Sequence, residues 1–220
     1  MIYILNIDTS SPKALVFLSA NGLIVQSEYN ENQRDHASFL HPAIKMLLVK
    51  ENIRMADLSA VAVAIGPGSY TGIRVGMATA KGLCFALNIP IIALDNLFIL
   101  AASCKRRVND SSLLICSMID ARRMEVFTAT YDSNLELKIE PEAMVLNENS
   151  FISNISKCNI VFCGNGSNKF KQLLSPEIEI IDITDTTEVM AHLSFDLYSN
   201  NQYGNLKDVK PFYMKEFYNG

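Results

Sequence analysis

The segment from Ala64 to Leu87, AIGPGSYTGIRVGMATAKGLCFAL, constrains the fold of this chain more than any other. It begins at the end of an apolar run, which is typical of a buried strand. Gly66-Pro67-Gly68 follows, and no regular helix or strand continues through such a tripeptide. Ser69 and Thr71 come next, and their hydroxyls can accept hydrogen bonds from the first turn of a helix. The segment therefore predicts a strand, a tight turn and a capped helix.

The predicted helix carries an apolar stripe with a row of small residues beside it. The stripe consists of Ile73, Met77, Ala80, Cys84 and Leu87, at alternating spacings of four and three. The row, Gly72, Gly76 and Ala80, repeats every four residues. A glycine inside a helix costs about 1 kcal/mol relative to alanine. The close approach of another backbone offsets such a cost, so we predict that this helix makes a tight contact with another helix.

The turn does not match the phosphate-binding loop of P-loop enzymes, which requires the pattern G-x-x-x-x-G-K-[ST]. Five residues separate Gly66 from Gly72 instead of four, and Ile73 stands where that loop has its lysine. The residues themselves favour an ordinary turn between a strand and a helix.

Composition limits the class of protein. The chain has 220 residues, 49% of them hydrophobic, and a formal net charge of −4. It can bury a large core, and we do not expect it to bind nucleic acid by itself. Its first apolar run is too short for a signal peptide, and no run approaches the roughly 20 apolar residues that span a bilayer. The five cysteines include no C-x-x-C pair. We therefore expect reduced thiols and a cytoplasmic protein without membrane contacts.

The glycine-rich segment also resembles the signature of a known family. GPGSYTGIRVGMATAKGL, residues 66–83, is similar to GPGSFTGLRIG…AKGLA of the bacterial TsaB (YeaZ) family. The other similar segments are Asp8-Thr9-Ser10, Asp35 to Ile44, Leu94-Asp95-Asn96-Leu97 and Asp120 to Phe127. The resemblance covers most of residues 2–130, and beyond them it rests on Gly164-Asn165-Gly166.

The resemblance implies an α/β fold with two ribonuclease-H-like lobes, the architecture of the actin and Hsp70 (ASKHA) superfamily. The predicted elements fit mixed sheets flanked by helices, because each half reads as three strands, a helix, a strand and a helix. The polar stretch that begins at Lys105 marks the boundary. We therefore predict an N-terminal lobe of residues 1–105 and a C-terminal lobe of residues 106–220. The C-terminal lobe includes predicted helices at Asn149–Ser156 and Thr187–Tyr198.

ATPases of that superfamily hold phosphate and metal in two turns of small residues. In this chain Ser10 replaces the glycine of the first turn, and Arg122 and Arg123 occupy the second. These arginines can bind an anion as charges, or they can pair with Glu125 or another acid. We expect no stably bound cofactor, and at most weak ATP or ADP binding at a degenerate or interfacial site. The residues assigned to this vestigial site are Asp8, Thr9, Ser10, Asp120, Gly164 and Gly166.

Two histidines in the predicted first helix do not have the spacing of a metal site. Helical zinc ligands stand four residues apart, whereas His36 and His41 are five apart and point about 140° apart around a helix. The related catalytic family, TsaD, carries a metal-binding H-x-x-x-H at the comparable place. We therefore expect neither a metal nor a catalytic residue in this chain.

The resemblance implies a non-catalytic subunit that binds TsaD. Such a subunit supports formation of N6-threonylcarbamoyladenosine (t6A) at position 37 of tRNAs that read ANN codons. TsaE is the accessory ATPase of that pathway. The chain is expected to meet tRNA only through the complex and to form a homodimer when TsaD is absent. The alternatives are an autonomous ATP-dependent small-molecule kinase, a metalloenzyme similar to M22 glycoproteases, and a homodimer with a structural role.

We predict the partner-binding face on two helices, Asp35 to Glu51 and Tyr70 to Leu87. The residues assigned to it are Gly72, Ile73, Arg74, Gly76, Met77, Ala80, Lys81, Cys84, His36 and Leu40. The competing interpretation is that both helices bury these residues against their own sheet. The glycine row and the family resemblance favour the interface.

Overall fold

The computed structural model describes residues 1–32, 35–108, 110, 112–147, 150–151, 159–171, 173 and 179–215. The chain divides into two compact units. The first combines residues 1–96 with residues 187–212, and the second combines residues 97–186 with residues 213–220.

Ten strands, five α-helices and one short 3-10 helix (Met55–Asp57) make up the regular structure of the described residues. The strands are β1 (Tyr3–Asp8), β2 (Ala14–Ala20), β3 (Leu23–Asn30), β4 (Leu58–Gly66), β5 (Ile91–Asp95), β6 (Leu114–Asp120), β7 (Glu125–Tyr131), β8 (Leu137–Val145), β9 (Ile160–Cys163) and β10 (Ile180–Ile181). The helices are α1 (His36–Lys50), α2 (Tyr70–Leu87), α3 (Asn96–Lys105), α4 (Ser167–Lys171) and α5 (Thr187–Ser199).

The first unit is built on a mixed sheet with the strand order β3-β2-β1-β4-β5. The first three strands are antiparallel neighbours, and β4 and β5 then add in parallel. Successive side chains of β1, β2 and β4 point to opposite faces of the sheet. Consecutive side chains in these strands are buried, so both faces of the sheet are covered. A parallel pair needs a crossover connection, and α1 and α2 provide the two crossovers.

Both crossover helices pack on one face of this sheet. Leu40 and Leu47 of α1, together with Met77 and Cys84 of α2, share a core with Ile7 of β1. Ser69 caps α2 as predicted, because its hydroxyl accepts a hydrogen bond from the Gly72 N–H at 3.3 Å. The helix ends at Asn88, whose N–H bonds the carbonyl of Cys84, and its left-handed backbone (φ 53°) turns the chain so that the Ile89 N–H also reaches that carbonyl at 3.1 Å.

The second unit repeats the same strand pattern. Its sheet has the order β10-β9-β6-β7-β8, so β6, β7, β8, β9 and β10 take the places of β1 to β5. The antiparallel and parallel pairings also correspond. One side of its core holds Phe151, Phe162 and Phe170, with ring centroids 4.9 to 5.5 Å apart. Two units with one topology agree with the predicted duplication.

The division of the chain differs from the predicted boundary after residue 105. The predicted helix at Thr187–Tyr198 is present as α5, but it packs on β1, β3 and β5 of the first unit. The chain after it stays with that unit, because the Gly204 N–H bonds Ile91 and the Phe212 N–H bonds Ile65. An apolar helix face does not specify which sheet it covers, so the sequence pattern alone placed α5 in the other lobe.

The predicted helix at Asn149–Ser156 lies mostly outside the described residues. Among the described helices, none is both long enough and apolar enough to cross a membrane.

Candidate functional site

The first turn of the predicted nucleotide site, after β1, is closed by its own side chains. The Asp8 carboxylate accepts hydrogen bonds from the Ser10 N–H at 2.9 Å and from the Ser10 hydroxyl at 2.6 Å. The side-chain amide of Asn96 donates to the Ser10 hydroxyl and accepts a bond from the Gly66 N–H at 3.2 Å. Burial raises the pKa of Asp8 above its ordinary value, and the hydrogen bonds from Ser10 and the charge of His36 offset this only in part.

The glycine row of α2 lies against this turn. A Cβ on Gly72 would stand 1.8 Å from the carbonyl oxygen of Thr9, and one on Gly76 would stand 2.5 Å from the Thr9 hydroxyl. That hydroxyl donates to the carbonyl of Gly72 at 2.7 Å. The row therefore lets α2 approach the end of β1, and its predicted role in contact with another helix is wrong. The glycines indicate that some backbone comes close, but they do not specify whether it belongs to a helix or to the sheet.

Most of the residues assigned to a partner interface are also buried within the first unit. This correction applies to Gly72, Ile73, Gly76, Met77, Ala80 and Cys84 of α2 and to His36 and Leu40 of α1. His36 is 3% exposed, and its Nε2 lies 3.0 Å from the carbonyl oxygen of Ser11. A partner cannot touch side chains that their own sheet already covers.

Two assigned residues do reach the surface. Arg74 is exposed and stacks over the ring of Tyr70 at 4.1 Å, and Lys81 is half-buried. Both belong to the side of α2 that points away from the sheet.

The outward sides of α1 and α2 are unusually apolar for solvent-facing helices. We call this surface the outer face, and it consists of Pro42, Met46 and Val49 of α1 with Ala78, Gly82 and Phe85 of α2. Val49 is 69% exposed and Phe85 is 81% exposed. A Cβ on Gly82 would have no described atom within 4 Å. The two helices pack against each other on the same face of the sheet, so their outward sides form one surface.

The outer face was not predicted from the sequence, although the sequence contains a signal for it. Arg74 and Lys81 are the only charged residues in the eighteen of α2. A helix with one covered face normally carries charges on the other. Positions 78, 82 and 85 continue the exposed side without a charge, which indicates a second contact surface.

The second turn of the predicted nucleotide site, after β6, is closed in the same way as the first. The Asp120 carboxylate accepts hydrogen bonds from the Arg122 N–H and from the Lys169 ammonium, each at 2.6 Å. The backbone N–H of Asp120 donates to the side-chain oxygen of Asn165 at 2.9 Å. Burial raises the pKa of Asp120, but the bonds from Lys169 and Arg122 outweigh it, so the pKa lies below its ordinary value.

The predicted glycine loop packs on the strand that carries Asp120. A Cβ on Gly164 would stand 2.4 Å from the carbonyl oxygen of Met118, and one on Gly166 would stand 3.0 Å from the backbone carbons of Met118 and Ile119. The Gly166 N–H donates to the carbonyl of Met118 at 3.0 Å. The second unit thus brings Asp120, Gly164 and Gly166 together, whereas Asp8, Thr9 and Ser10 belong to the first unit.

In each of these turns, one backbone N–H group is already bonded within the turn itself. Phosphate turns need backbone N–H groups that are free to point at the anion. The Ser10 and Arg122 N–H groups instead donate to the aspartate two residues earlier in each turn.

No group of three or more histidine, cysteine or carboxylate side chains stands close enough to hold a metal ion among the described residues. His41 is exposed on α1, whereas His36 is buried beneath it. The two histidines therefore lie on different sides of the helix, as their spacing of five predicts.

Comparison with known sequences identifies a matching family model and relatives of the chain. The family model described as "TsaD: tRNA N6-adenosine threonylcarbamoyltransferase" matches residues 24–199. Two relatives described as tRNA threonylcarbamoyladenosine biosynthesis protein TsaB are 38% identical (Bacillus subtilis) and 31% identical (Escherichia coli), each over 128 residues. Each match covers 58% of this chain and 54% of the relative, so the chain spans about half the length of the curated relatives it matches.

Comparison with solved structures concerns the fold. YeaZ from Pseudomonas aeruginosa superposes with a TM-score of 0.78 at 23% sequence identity, covering 97% of this chain and 100% of that one. This similarity confirms the predicted fold, an α/β chain whose two mixed sheets are flanked by helices.

Proposed function

Because the chain belongs to the TsaB (YeaZ) family, we propose that it is a non-catalytic subunit that binds TsaD and supports t6A formation at position 37 of ANN-reading tRNAs. TsaE is a further partner in the same complex, and tRNA is met only through the complex. In the absence of TsaD, the same surface pairs two copies of the chain. These steps take place in the cytoplasm.

The outer face is the observation that supports a partner-binding role most directly. It exposes Met46, Val49 and Phe85 beside the small residues Ala78 and Gly82. Exposed apolar side chains grouped on one surface are typical of protein interfaces. Small residues between them allow the helices of a partner to approach closely. Lys45, Arg74 and Lys81 lie beside the apolar residues and supply the polar rim of such an interface.

The two closed turns support the proposed non-catalytic role. An ATPase of this fold would bind phosphate at both, and here the Asp8 and Asp120 carboxylates already accept the relevant N–H groups. We therefore propose that the chain alone holds no nucleotide stably. Any ATP or ADP that binds weakly does so at a surface shared with TsaD.

Gly82→Leu tests the proposed interface without disturbing the fold. Its side chain would project from a position with no described atom within 4 Å, so thermal stability should not fall. At the interface the same side chain would separate the helices. We expect the affinity for TsaD, measured by size-exclusion chromatography and titration calorimetry, to fall at least tenfold, as at a hot spot.

Two further variants make the result specific. Ser199→Leu places the same side chain at an exposed position of α5 and should bind TsaD normally. Gly76→Leu should instead lose stability, because its side chain would collide with Thr9. Unchanged TsaD binding by the Gly82→Leu protein would remove the outer face from the interface.

A further inference from the structure

The turn between β6 and β7 carries two arginines in a backbone conformation that arginine rarely adopts. Arg122 has φ 71° and Arg123 has φ 47°, both in the left-handed region. Glycine or asparagine reaches this region at lower cost. Both side chains are exposed. Two consecutive arginines in the left-handed region indicate that their side chains have a role that offsets the strain of the backbone.

Ion pairs with nearby acids do not explain why arginine occupies these two positions. Asp120 is paired with Lys169 at 2.6 Å, and Glu125 is paired with Lys215. Lys169 also donates to the carbonyl oxygen of Glu125 at 3.0 Å. Arg122 lies near enough to Asp120 to help lower its pKa. Across the described part of the chain, however, neither guanidinium has an ion pair within 4 Å. Lysines therefore satisfy both acids, and both arginines remain available to a ligand.

The turn is locally positive in a chain that is negative overall. Asp120 and Glu125 are surrounded by four cations, Arg122, Arg123, Lys169 and Lys215, which leaves a local charge of +2. The whole chain carries −4. Long-range attraction between the chain and a polyanion is therefore weak, and any such attraction is concentrated at this turn.

We propose that Arg122 and Arg123 bind phosphate groups of an RNA strand. This inference rests on the proposed function, which brings tRNA to the complex. Guanidinium groups suit phosphate oxygens because they donate two parallel hydrogen bonds. The Arg122 N–H is already bonded to Asp120, so it is not free to bind the phosphate of a nucleotide. We therefore assign the contact to the two arginine side chains, which would bind phosphate groups along the backbone of the RNA strand.

A protein partner fits this turn less well than RNA does. Protein interfaces have an apolar centre inside a polar rim. Met124, 38% exposed, is the only large apolar side chain exposed in residues 120–125. A positive turn without an apolar centre matches the sugar–phosphate backbone, where charge supplies most of the affinity.

The test uses the chain in complex with TsaD and an unmodified ANN-reading tRNA transcript, with binding followed by fluorescence anisotropy over a series of salt concentrations. The variant is Arg122→Gly combined with Arg123→Gly. We expect at least fivefold weaker binding in low salt and a salt dependence reduced by roughly 1.4 to 1.8 in the slope of log K against log[salt]. Because glycine relieves both left-handed positions, the melting temperature should stay the same or rise.

A control variant that removes the same number of cations at other positions distinguishes binding at this turn from the general effect of the charge of the chain. Arg54→Ser combined with Lys138→Ser removes two exposed cations elsewhere, and it should change the affinity less than twofold. Equal losses in both double variants would overturn the proposal. So would unchanged tRNA binding by the double-glycine variant, or a clear fall in its melting temperature, since the latter would assign the arginines a structural role.

Two comparisons keep this inference distinct from the proposed function. Should the wild-type chain fail to associate with TsaD, the proposed function fails. If the complex forms and binds tRNA, but the double-glycine variant binds tRNA as tightly as the wild type, only the arginine proposal fails. If the double-glycine variant keeps its tRNA affinity but loses TsaD, the turn meets a protein carboxylate and the RNA proposal is wrong.

Discussion

At the scale of single residues, the same hydrogen bond occurs in both halves of the chain. Asp8 at the end of β1 and Asp120 at the end of β6 each accept the N–H of the residue two positions later. The sequence showed that both strands end in aspartate. It did not show that these carboxylates close their own turns, because a motif gives the residue types but not the hydrogen bonds they choose. The environments still differ, since burial outweighs the hydrogen bonds at Asp8, whereas the bonds from Lys169 and Arg122 together outweigh burial at Asp120.

We predict that Asp8→Asn makes the chain more stable at pH 7. The raised pKa means that the folded state holds its proton to a higher pH than the unfolded state. Wild-type stability therefore falls as the pH rises from the ordinary aspartate value through the folded pKa. Asparagine keeps the oxygen acceptor for Ser10 and has no charge to desolvate.

Urea unfolding of both proteins between pH 3 and pH 7 measures this difference, which should widen as the pH rises. Asp8→Ala is the control, because it removes both hydrogen bonds from Ser10 and should cost about 1 to 2 kcal/mol. An Asp8→Asn protein that is as unstable as the alanine variant at pH 7 would show that the ionised carboxylate stabilises the fold.

At the scale of elements, α2 uses its glycines on two different sides. Gly72 and Gly76 face Thr9, and Gly82 faces outward. The sequence predicted the strand, the turn, the Ser69 cap and the apolar stripe, because each depends on local chemistry or on the 3.6-residue period. It could not predict what the glycines approach, because periodicity identifies a face but not the partner of that face. For the same reason, α5 was assigned to the wrong sheet.

Two glycine-to-alanine variants of α2 should have opposite effects. Gly72→Ala would place a Cβ 1.8 Å from a backbone oxygen, so we expect a loss of at least about 3 kcal/mol in the free energy of unfolding. Gly82→Ala meets no described atom and should gain up to about 1 kcal/mol from helix propensity. Chemical denaturation of the two variants measures both effects. If they shift stability by similar amounts, the glycine row does not pack on β1.

At the scale of the whole molecule, the chain keeps a duplicated fold and combines closed turns with an apolar outer face. The superfamily resemblance gave the two-sheet plan in advance. It did not give the membership of the units, because residues 187–212 return to the first sheet between the two segments of the second unit. That return depends on hydrogen bonds such as Phe212 N–H to Ile65, which involve backbone and leave no pattern in the sequence.

We expect the purified chain to show no turnover of ATP. In each turn the N–H two residues after the aspartate is already bonded, since Ser10 donates to Asp8 and Arg122 donates to Asp120. A coupled phosphate-release assay measures the rate, and Asp8→Asn distinguishes a trace contaminant from the chain itself. Steady turnover that this variant abolishes would reverse the assignment as a non-catalytic subunit.

The central claim is that this chain supports t6A synthesis by engaging a partner through its outer face. The most direct measurement is nucleoside analysis of tRNA from the native cell after the chain is depleted, with wild-type and Gly82→Leu copies supplied in turn. We predict that t6A falls with depletion, returns with the wild-type copy and does not return with Gly82→Leu at equal protein level. An unchanged t6A content in the depleted cells would contradict the assigned pathway, and full recovery with Gly82→Leu would contradict the outer face.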